Sequence, residues 1–589
     1  MQLSNIAHGP EIRDEAVAFC LWAPLHQRVT LKIEKRGQWQ MKRLADGWHR
    51  VEIPGARPGD LYTFILPNGL EVPDPASRFQ PNDVHGPSEI IDPTFAWRTE
   101  PWNGRPWEEM VIYEMHLGAF TEAGTFLAAI EKLEHLRRLG ITAIQLMPLS
   151  DFPGRYGWGY DGVLSYAPDS SYGRPEDLRS LVDAAHGCGI SVFLDVVYNH
   201  FGPDGNYLPH YAPIFSDTHK TPWGRGLNFD GAGSRFVRDF IIENAIYWIR
   251  EFRMDGLRLD AVHAIRDDSH PHILCELAER VREAVSERPI HLIAENEDNN
   301  ADLLARDAQG RARQFTAQWN DDIHHVLHIA ATGETFGYYR DYAGDGAKIG
   351  RALAEGFVFQ GEHMPYRGKT RGRPSTGLPP TAFVSFIQNH DQIGNRAMGD
   401  RMNASHPIEA IKAIAAIYLL APQIPMLFMG EEWGSTDPFP FFCDLADELN
   451  ETIRAGRKEE LSRLPGFDVN DALDPICEST FRQAKLQWRG AIHNEPFVEY
   501  YRLLLSLRRK WIVPCLADAR GHSAKYDSDG RLVCVTWKMG RSILHLMANL
   551  SGEAVDTTVP NRKDIILSQG DIAPDRLGPW AVLWSLAQE

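Results

Sequence analysis

Three acidic side chains stand at the ends of short apolar runs and lie far apart in the chain. They are Asp260 in GLRLDAVH, Glu295 in IHLIAEN and Asp391 in FVSFIQNHDQIGNR. Burying a charged group is costly unless the group is paired, so a carboxylate that ends a core strand indicates chemistry at that position. The three residues are therefore candidates for one catalytic centre.

Arg258 precedes Asp260 by two residues. Side chains two apart in a strand share a face, so the guanidinium can hold the aspartate ionised and oriented. Glu295 instead follows the apolar run HLIA, whose surroundings disfavour the charged carboxylate and raise its pKa. An ionised Asp260 is a candidate nucleophile and a protonated Glu295 a candidate proton donor, the two groups that cleave a glycosidic bond with retention.

Asp391 directly follows Asn389 and His390. All three side chains can hydrogen-bond to hydroxyl groups. A third carboxylate at this position is expected to bind sugar hydroxyls and to favour a distorted sugar ring.

The elements that must position these residues alternate between strands and helices. Eight apolar runs rich in Val, Ile, Phe and Leu predict strands, and segments with helical spacing separate most of them. This alternation is typical of a parallel sheet, and eight units in one stretch favour a closed (β/α)8 TIM barrel of the α/β class, whose strands all end at one rim. Strands are predicted near residues 111, 142, 191, 257, 291, 315, 383 and 425, and helices at 125–139, 175–187, 235–252, 270–286 and 407–420.

The chain divides into three predicted domains. Residues 1–95 are predicted to form an N-terminal β-sandwich, because alternating, aromatic-rich runs are separated there by turn-prone segments. Residues 96–512 form the predicted barrel and residues 513–589 a C-terminal β-domain. Two insertions rich in Gly, Pro and Tyr, at about 199–234 and 332–380, follow the third and sixth strands, so we expect both over the carboxyl-terminal rim.

The composition disfavours several classes of protein. The chain of 589 residues has a formal net charge of -18, which argues against a nucleic-acid partner. Its seven cysteines form no CxxC pair, which argues against a disulfide framework and a thiolate zinc site. No uninterrupted apolar run of about 18 to 20 residues predicts a membrane span, and the first residues do not resemble a signal peptide. We expect a cytoplasmic protein without a membrane partner, as a monomer or a weak homo-oligomer.

Four short motifs resemble those of the α-amylase family of glycoside hydrolases, in the family's order and on the predicted strands. They are DVVYNH (195–200), GLRLDAVH (256–263), AEN (294–296) and QNHDQ (388–392). The resemblance covers about residues 110–510. It implies that Asp260 is the nucleophile, Glu295 the acid/base and Asp391 the group that stabilises the transition state.

The resemblance also implies substrate-binding residues. Tyr160 in GWGYDG would stack under the sugar in the subsite where cleavage occurs. The other candidates for binding or supporting the substrate are Asp195, Asn199, His200, Arg258, His263, Trp319, Asp321, Asn389 and His390. Aromatic residues in the predicted loops are further candidates for contacts with sugar rings, and these are Trp158, Trp223, Tyr338, Tyr339 and Phe357, besides Trp319.

Within that family, three segments are similar to the maltooligosyltrehalose trehalohydrolases: DPASRFQP (74–81), QWNDDIHH (318–325) and NHDQIGNR (389–396). This resemblance implies hydrolysis of the α-1,4-glucosidic bond next to the terminal trehalose, with release of α,α-trehalose, and an N-terminal module like those that bind starch. Maltooligosyltrehalose and related α-glucans are the expected ligands. A glucan branching enzyme, or another hydrolase or transglycosidase of α-1,4-glucans, is the alternative.

No metal ion and no cofactor is expected. Many amylases carry a Lys-His pair three and four residues after the nucleophile, whereas this chain has His263 and Ala264 there. A structural calcium bound as in those amylases is therefore not expected. His324 and His328 could share one face of a helix, but no third ligand at a metal-binding spacing accompanies them.

Overall fold

The computed structural model describes residues 8–462, 472–560 and 564–588. Near its N-terminus two antiparallel sheets pack face to face, and the ring of Phe19 in one lies 4.9 Å from the ring of Tyr62 in the other. The first sheet contains the strands Glu11–Arg13, Ala16–Trp22, Trp48–Pro54 and Lys42–Arg43, in that order. The second contains Gly37–Gln40, Thr30–Ile33, Leu61–Ile65 and Glu71–Val72, and Ser88–Glu89 also pairs with Leu61–Ile65. Residues 1–7 of the predicted N-terminal domain lie outside the described residues.

Eight parallel strands form a closed barrel in which each strand pairs with its neighbours in sequence and the last pairs with the first. The prediction of a TIM barrel is confirmed. In order, the barrel strands are Ile112–Met115, Ala143–Leu146, Ser191–Val196, Gly256–Leu259, His291–Ala294, Ala317–Trp319, Phe383–Ser385 and Ile424–Phe428.

The side chains that point into the barrel are apolar within the strands and acidic at or just beyond their carboxyl ends. The barrel therefore has an apolar floor and a polar rim. Phe193, Ile293 and Trp319 belong to the buried apolar cluster inside the barrel, and acids follow two residues later at 195, 295 and 321. Residues two apart share a face, so these acids emerge at the carboxyl-terminal end of the barrel. Gly256 makes room for this interior, since a Cβ there would lie 2.3 Å from the carbonyl oxygen of His291.

The helices that follow the strands agree with the predicted ones, with one difference. The helix expected over 125–139 is two helices that break at Glu131 and Lys132. The helices around the barrel are Phe126–Ile130, Leu133–Leu139, Pro175–Gly187, Ser234–Glu251, Ile273–Ala284, Asp321–Thr332, Ala347–Glu355 and Ile408–Leu420. The other α-helices in the described residues are Leu117–Phe120, His390–Gly394, Asp447–Leu461, Glu478–Gln483, Arg489–His493, Glu495–Leu507 and Val513–Leu516.

The two insertions differ from the irregular segments that were expected. The first contains an antiparallel hairpin, Phe215–Thr221 with Gly224–Leu227. The second contains the helix Ala347–Glu355, which packs on the C-terminal sheet rather than over the rim, since a Cβ at Gly350 would lie 2.7 Å from the ring of Tyr526. Burial of one apolar face of this helix against the sheet explains the position.

A five-stranded antiparallel sheet near the C-terminus packs against the barrel helices. The rings of Trp537 and Trp584 stack on one another at 5.7 Å between centroids, and both are fully buried. The indole of Trp584 donates to the carbonyl of Ala416 in a barrel helix. The sheet contains Ala519–Ser528, Leu532–Met539, Ser542–Asn549, Val582–Gln588 and Ile565–Gln569 in that order, and a smaller sheet contains Val555–Asp556, Arg576–Leu577 and Ile572–Ala573.

Two further features concern the described part of the chain as a whole. The search of its helices found none with the length and apolar character that crossing a bilayer requires. All seven cysteines are free thiols.

Candidate active site

Arg258 is the central cation of a buried cluster of carboxylates at the rim. Its Nη1 lies 2.8 Å from Asp195 Oδ2 and 2.7 Å from Asp260 Oδ1, and its Nη2 lies 3.5 Å from Glu295 Oε2. The guanidinium also lies over the ring of Trp319, 4.1 Å from the centroid. Because separate nitrogens of one guanidinium contact Asp260 and Glu295, the two predicted catalytic carboxylates are close neighbours.

Asp260 is held through both carboxylate oxygens. Oδ1 accepts from Arg258, and Oδ2 accepts from the Nδ2 amide of Asn199 at 2.8 Å. Asn199 also donates to the backbone oxygen of Asp260 at 2.9 Å. The following residue, Ala261, has a left-handed backbone with φ of 39°, a conformation that only surrounding structure can impose on a residue with a Cβ. These contacts fix the orientation of the Asp260 carboxylate.

Glu295 lies in surroundings that disfavour its charge. Burial raises its pKa well above the usual carboxyl value, Arg258 opposes this shift, and the negative charges of Asp260 and Asp391 add to it. The backbone N–H of Ala261 donates to its Oε2. A carboxyl group that stays protonated near neutral pH can donate a proton, as a general acid must.

Asp391 and His390 follow the seventh barrel strand, and His390 is hydrogen-bonded to Tyr160. His390 Nε2 lies 2.9 Å from the Tyr160 hydroxyl and 3.6 Å from Asp391 Oδ1. The Tyr160 hydroxyl also donates to Asp195 Oδ2 at 2.8 Å, and the Tyr160 ring stacks against the His390 imidazole with 5.2 Å between centroids and 26° between planes. Asp391 keeps 42% of its side chain exposed, the largest share among the three predicted catalytic acids. It is therefore accessible to a ligand.

Glu114 is a site residue that the sequence analysis overlooked. Its Oε1 lies 2.6 Å from His390 Nδ1, and its Oε2 accepts the backbone N–H of His390 at 3.2 Å. Burial opposes protonation of the imidazole, but the carboxylates of Asp391 and Glu114 raise the pKa of His390 to about 9. An acid inside the apolar run VIYEMHL was the available signal, because it would have to face inward among apolar neighbours.

Asp321 adds a further carboxylate from the sixth barrel strand. Burial raises its pKa to about 7, Arg371 opposes the shift, and the charges of Glu297 and Asp391 contribute to it. Asp322, its neighbour, faces away into the protein and pairs with Arg371 at 2.6 Å. Only the first of these two adjacent aspartates is placed to meet a ligand.

Three other predicted binding residues are drawn into the walls of the site. His200 Nε2 donates to the carbonyl of Tyr160 at 3.0 Å. His263, half-buried, accepts the backbone N–H of Glu297 at 3.3 Å through Nδ1. Asn389 begins the short helix His390–Gly394, where its Oδ1 accepts a backbone N–H at 2.9 Å. Its Nδ2 is buried without a protein partner, so both N–H donors of this amide are unpaired in the protein.

Trp319 differs most from its prediction as a residue that contacts the substrate. Its side chain is 1% exposed and lies beneath Arg258 within the barrel. As the inward-facing residue before the rim, it belongs to the floor, so a sugar cannot stack on it. It supports the site by holding the guanidinium from below.

The other predicted aromatic contacts divide into exposed and buried rings. Trp223 is 52% exposed and stacks on His200 at 5.0 Å, and Tyr338 is 37% exposed. The remaining three, Trp158, Tyr339 and Phe357, are buried and pack the loops themselves. Two of the five additional aromatic candidates therefore have a surface that a sugar could reach.

The histidines considered as metal ligands are engaged elsewhere. His324 hydrogen-bonds to the carbonyl of Ile387 and to the hydroxyl of Tyr339, at 2.7 and 3.0 Å. His328 pairs with Glu334 at 2.8 Å. In the part of the chain that is described, one group has ligand atoms close enough together for a metal ion, and it consists of His219, Asp230 and Asp268 around the inserted hairpin.

Comparison with known proteins agrees with this architecture. The model of the α-amylase catalytic domain matches residues 98–212, and that of a domain of unknown function matches residues 519–584. A solved structure from Salmonella typhimurium, provisionally described as an alpha amylase, superposes with a TM-score of 0.94 and 44% identity, covering 99% of this chain and all of that one.

Two curated relatives separate the candidate functions. The malto-oligosyltrehalose trehalohydrolase of Saccharolobus solfataricus is 44% identical over 508 residues, which are 86% of this chain and 88% of that protein. The 1,4-alpha-glucan branching enzyme of Corynebacterium jeikeium is 34% identical over 293 residues, only 45% of this chain and 41% of that protein. The match over most of both lengths shows that the chain belongs to the malto-oligosyltrehalose trehalohydrolases, glycoside hydrolases of the α-amylase family.

Proposed function

We propose that this glycoside hydrolase cleaves the α-1,4 bond that joins a maltooligosaccharide to a terminal trehalose unit, with retention at the anomeric carbon. The single observation that carries the chemistry is the contrast between Asp260 and Glu295 around Arg258. Asp260 accepts a hydrogen bond from the Arg258 guanidinium at one oxygen and from the Asn199 amide at the other, whereas burial raises the pKa of Glu295 and favours its neutral form. Two neighbouring carboxyl groups in opposite protonation states are what a retaining glycosidase uses.

In the first step, an oxygen of Asp260 forms a bond to the anomeric carbon on the donor side of the substrate. The bond from that carbon to the glycosidic oxygen breaks, and the carboxyl group of Glu295 transfers its proton to this oxygen. Trehalose leaves with a new hydroxyl group, and the maltooligosaccharide remains esterified to Asp260. Arg258 and Asn199 keep the attacking carboxylate aligned throughout.

In the second step, water attacks the same carbon. Glu295, now ionised, takes a proton from the water, and Asp260 leaves as a carboxylate. Asp391 is placed to bind sugar hydroxyls and to favour the distorted ring, and the imidazolium of His390 stabilises its charge. Tyr160 presents the face opposite His390 to the sugar, and its hydroxyl is fixed between His390 and Asp195.

Products distinguish the proposed reaction from that of a branching enzyme. Maltotetraosyl trehalose and maltohexaose would be supplied separately at equal concentration, with chromatography of the products over time. Rapid release of free trehalose, with slow cleavage of maltohexaose, supports the proposal. New α-1,6 linkages without trehalose would instead assign the site to glucan transfer, with the same barrel and carboxyl groups.

The role of Glu295 has its own test. Glu295→Gln should lower kcat for maltotetraosyl trehalose by about 10² to 10⁴-fold, the usual contribution of a general acid. The first chemical step with maltotriosyl fluoride should persist, because fluoride leaves without a proton. Equal loss on both substrates would contradict the assignment.

We also propose that the enzyme acts in the cytoplasm. Its free thiols support this location, since disulfides are rare in a reducing compartment.

A further inference from the structure

A pocket lies outside the catalytic cleft, between the second insertion and the C-terminal sheet. Its volume is about 390 Å³, within the range of about 300–1,000 Å³ that is usual for sites of small ligands. The helix Ala347–Glu355 and residues from the segment 358–362 form two of its walls, and Tyr526 of the strand Ala519–Ser528 forms the third. None of the candidate catalytic or substrate-binding residues lines it. The pocket is therefore separate from the acids at the rim.

Close contacts between the helix and the sheet hold these walls together. The hydroxyl of Ser528 donates to the carbonyl of Gly346 at 2.5 Å, directly before the helix begins. A Cβ at Gly346 would lie 1.9 Å from the Cα of Gly530. A Cβ at Gly350 would lie 2.7 Å from the ring of Tyr526, so glycine at both positions allows the helix to approach the sheet this closely. The pocket is thus formed before any ligand binds.

Tyr526 gives the pocket an accessible aromatic ring. The ring rests on the helix at Gly350, and 36% of the residue remains exposed. Phe359, which also lines the pocket, is 6% exposed, and its ring packs edge-on against that of Tyr342 at 5.3 Å between centroids. An accessible tyrosine offers an apolar face next to a hydroxyl group. The pocket therefore has a surface on which the apolar face of a sugar ring can stack.

The charged groups around this ring are largely paired with one another. Arg351 Nε lies 3.2 Å from Glu355, and its Nη1 lies 2.7 Å from Glu362. Lys348 donates to the carbonyl of Asp341 at 2.8 Å. Acids outnumber bases among the lining residues, which disfavours an anion such as a phosphate. Carboxylates and a guanidinium held in place can instead exchange hydrogen bonds with the hydroxyl groups of an uncharged ligand.

We propose that this pocket is a second binding site, in which a glucose ring of an α-glucan stacks on Tyr526 and its hydroxyl groups contact Arg351 and Glu362. A chain bound there stays near the enzyme whether or not its end lies in the cleft, which raises the effective concentration of chain ends. The choice of an α-glucan rests on the proposed function, because an enzyme that acts on maltooligosyltrehalose meets α-1,4-glucan chains.

The test is affinity electrophoresis in native gels with and without soluble amylose. The parent protein carries Glu295→Gln and Tyr160→Ala, so that no glucan is cleaved and the cleft lacks its own stacking ring. Amylose should retard this parent. Tyr526→Ala in the same background should raise the dissociation constant obtained from the retardation by about tenfold, as expected for the loss of one stacked ring. Trp511→Ala, which removes a 37% exposed ring outside the pocket, is the control and should leave the retardation unchanged.

Two results would overturn the second site: a parent protein that amylose does not retard, or equal retardation of the parent and Tyr526→Ala. Glu362→Gln is a milder change at a half-exposed acid of the pocket and should weaken binding in the same direction. It keeps the test decisive if thermal unfolding shows that Tyr526→Ala is not folded. Trehalose release by the wild-type enzyme is measured separately. Its absence would refute the proposed function, whereas release of trehalose together with unaltered amylose binding by Tyr526→Ala would refute only the second site.

Discussion

Glu114→Gln tests whether the acid beneath His390 sets the charge of that imidazole. The substitution keeps the shape of the side chain and one acceptor oxygen but removes the negative charge. Glu114 contacts His390 twice, at 2.6 and 3.2 Å, and both side chains are buried. A hydrogen bond with a charged partner contributes about 1.5–3 kcal/mol and a neutral one about 0.5–1.5 kcal/mol, so we expect a loss of about 1 kcal/mol.

That loss of free energy predicts a shift in the pH dependence of kcat/KM. A shift of one pKa unit corresponds to about 1.4 kcal/mol, so the pKa of His390 should fall by about one unit from its value of about 9. The pKa of His390 should fall because the negative charge of Glu114 stabilises the imidazolium. Once that charge is removed, less opposes the effect of burial, which favours the neutral imidazole. If the imidazolium is the active form, kcat/KM should fall about fivefold at pH 9 and change little at pH 7.

The assay is the pH dependence of kcat/KM for maltotriosyl fluoride between pH 6 and 10. Fluoride needs no proton to leave, so ionisation of Glu295 does not mask the basic limb. Glu109→Gln is the control, because Glu109 is half-exposed and pairs with Arg105 away from His390. A basic limb that stays in place, or a loss equal at every pH, would refute the argument that Glu114 maintains the imidazolium.

Two further predictions concern the support of the site. Asp169 is buried, and its carboxylate accepts the backbone N–H groups of Phe152 and Ser171. Burial raises its pKa above the usual carboxyl value, so the folded protein holds a proton that the unfolded chain loses above about pH 4, and the free energy of unfolding should fall as pH rises from about 4 towards neutral. Asp169→Asn should flatten that part of the curve of Tm against pH, and an unchanged slope would contradict this. Trp319→Leu removes the ring beneath Arg258, a desolvated cation–π contact of about 2 kcal/mol. Calorimetry should show a lower Tm, and kinetics a lower kcat with a similar KM, whereas a rise in KM alone would favour a sugar contact.

The sequence alone was sufficient to predict the barrel and the strand ends at which Asp260, Glu295 and Asp391 stand. Alternation forces residues two apart onto one face, so Asp260 and Glu295 could be placed at the rim once their strands were recognised. Their contrasting environments could also be predicted, because one had an arginine on its own strand face and the other had only apolar neighbours. Both are properties of short segments, which local sequence encodes.

The tertiary structure decided which distant residues support these groups. Glu114 lies on the first barrel strand and His390 follows the seventh, so they meet only because the barrel closes, in a contact across 276 positions of the chain. Trp319 was a plausible sugar platform by residue type, but the stagger of the barrel placed it under the guanidinium. Glu334 and Arg396 lie 2.8 Å apart although 62 positions of the chain separate them, so their pairing depends on how two segments pack together. Such contacts depend on closure of the barrel and on packing between two distant segments. Each segment supplies only one of the two side chains, so the spacing of residues within one segment cannot identify the partner.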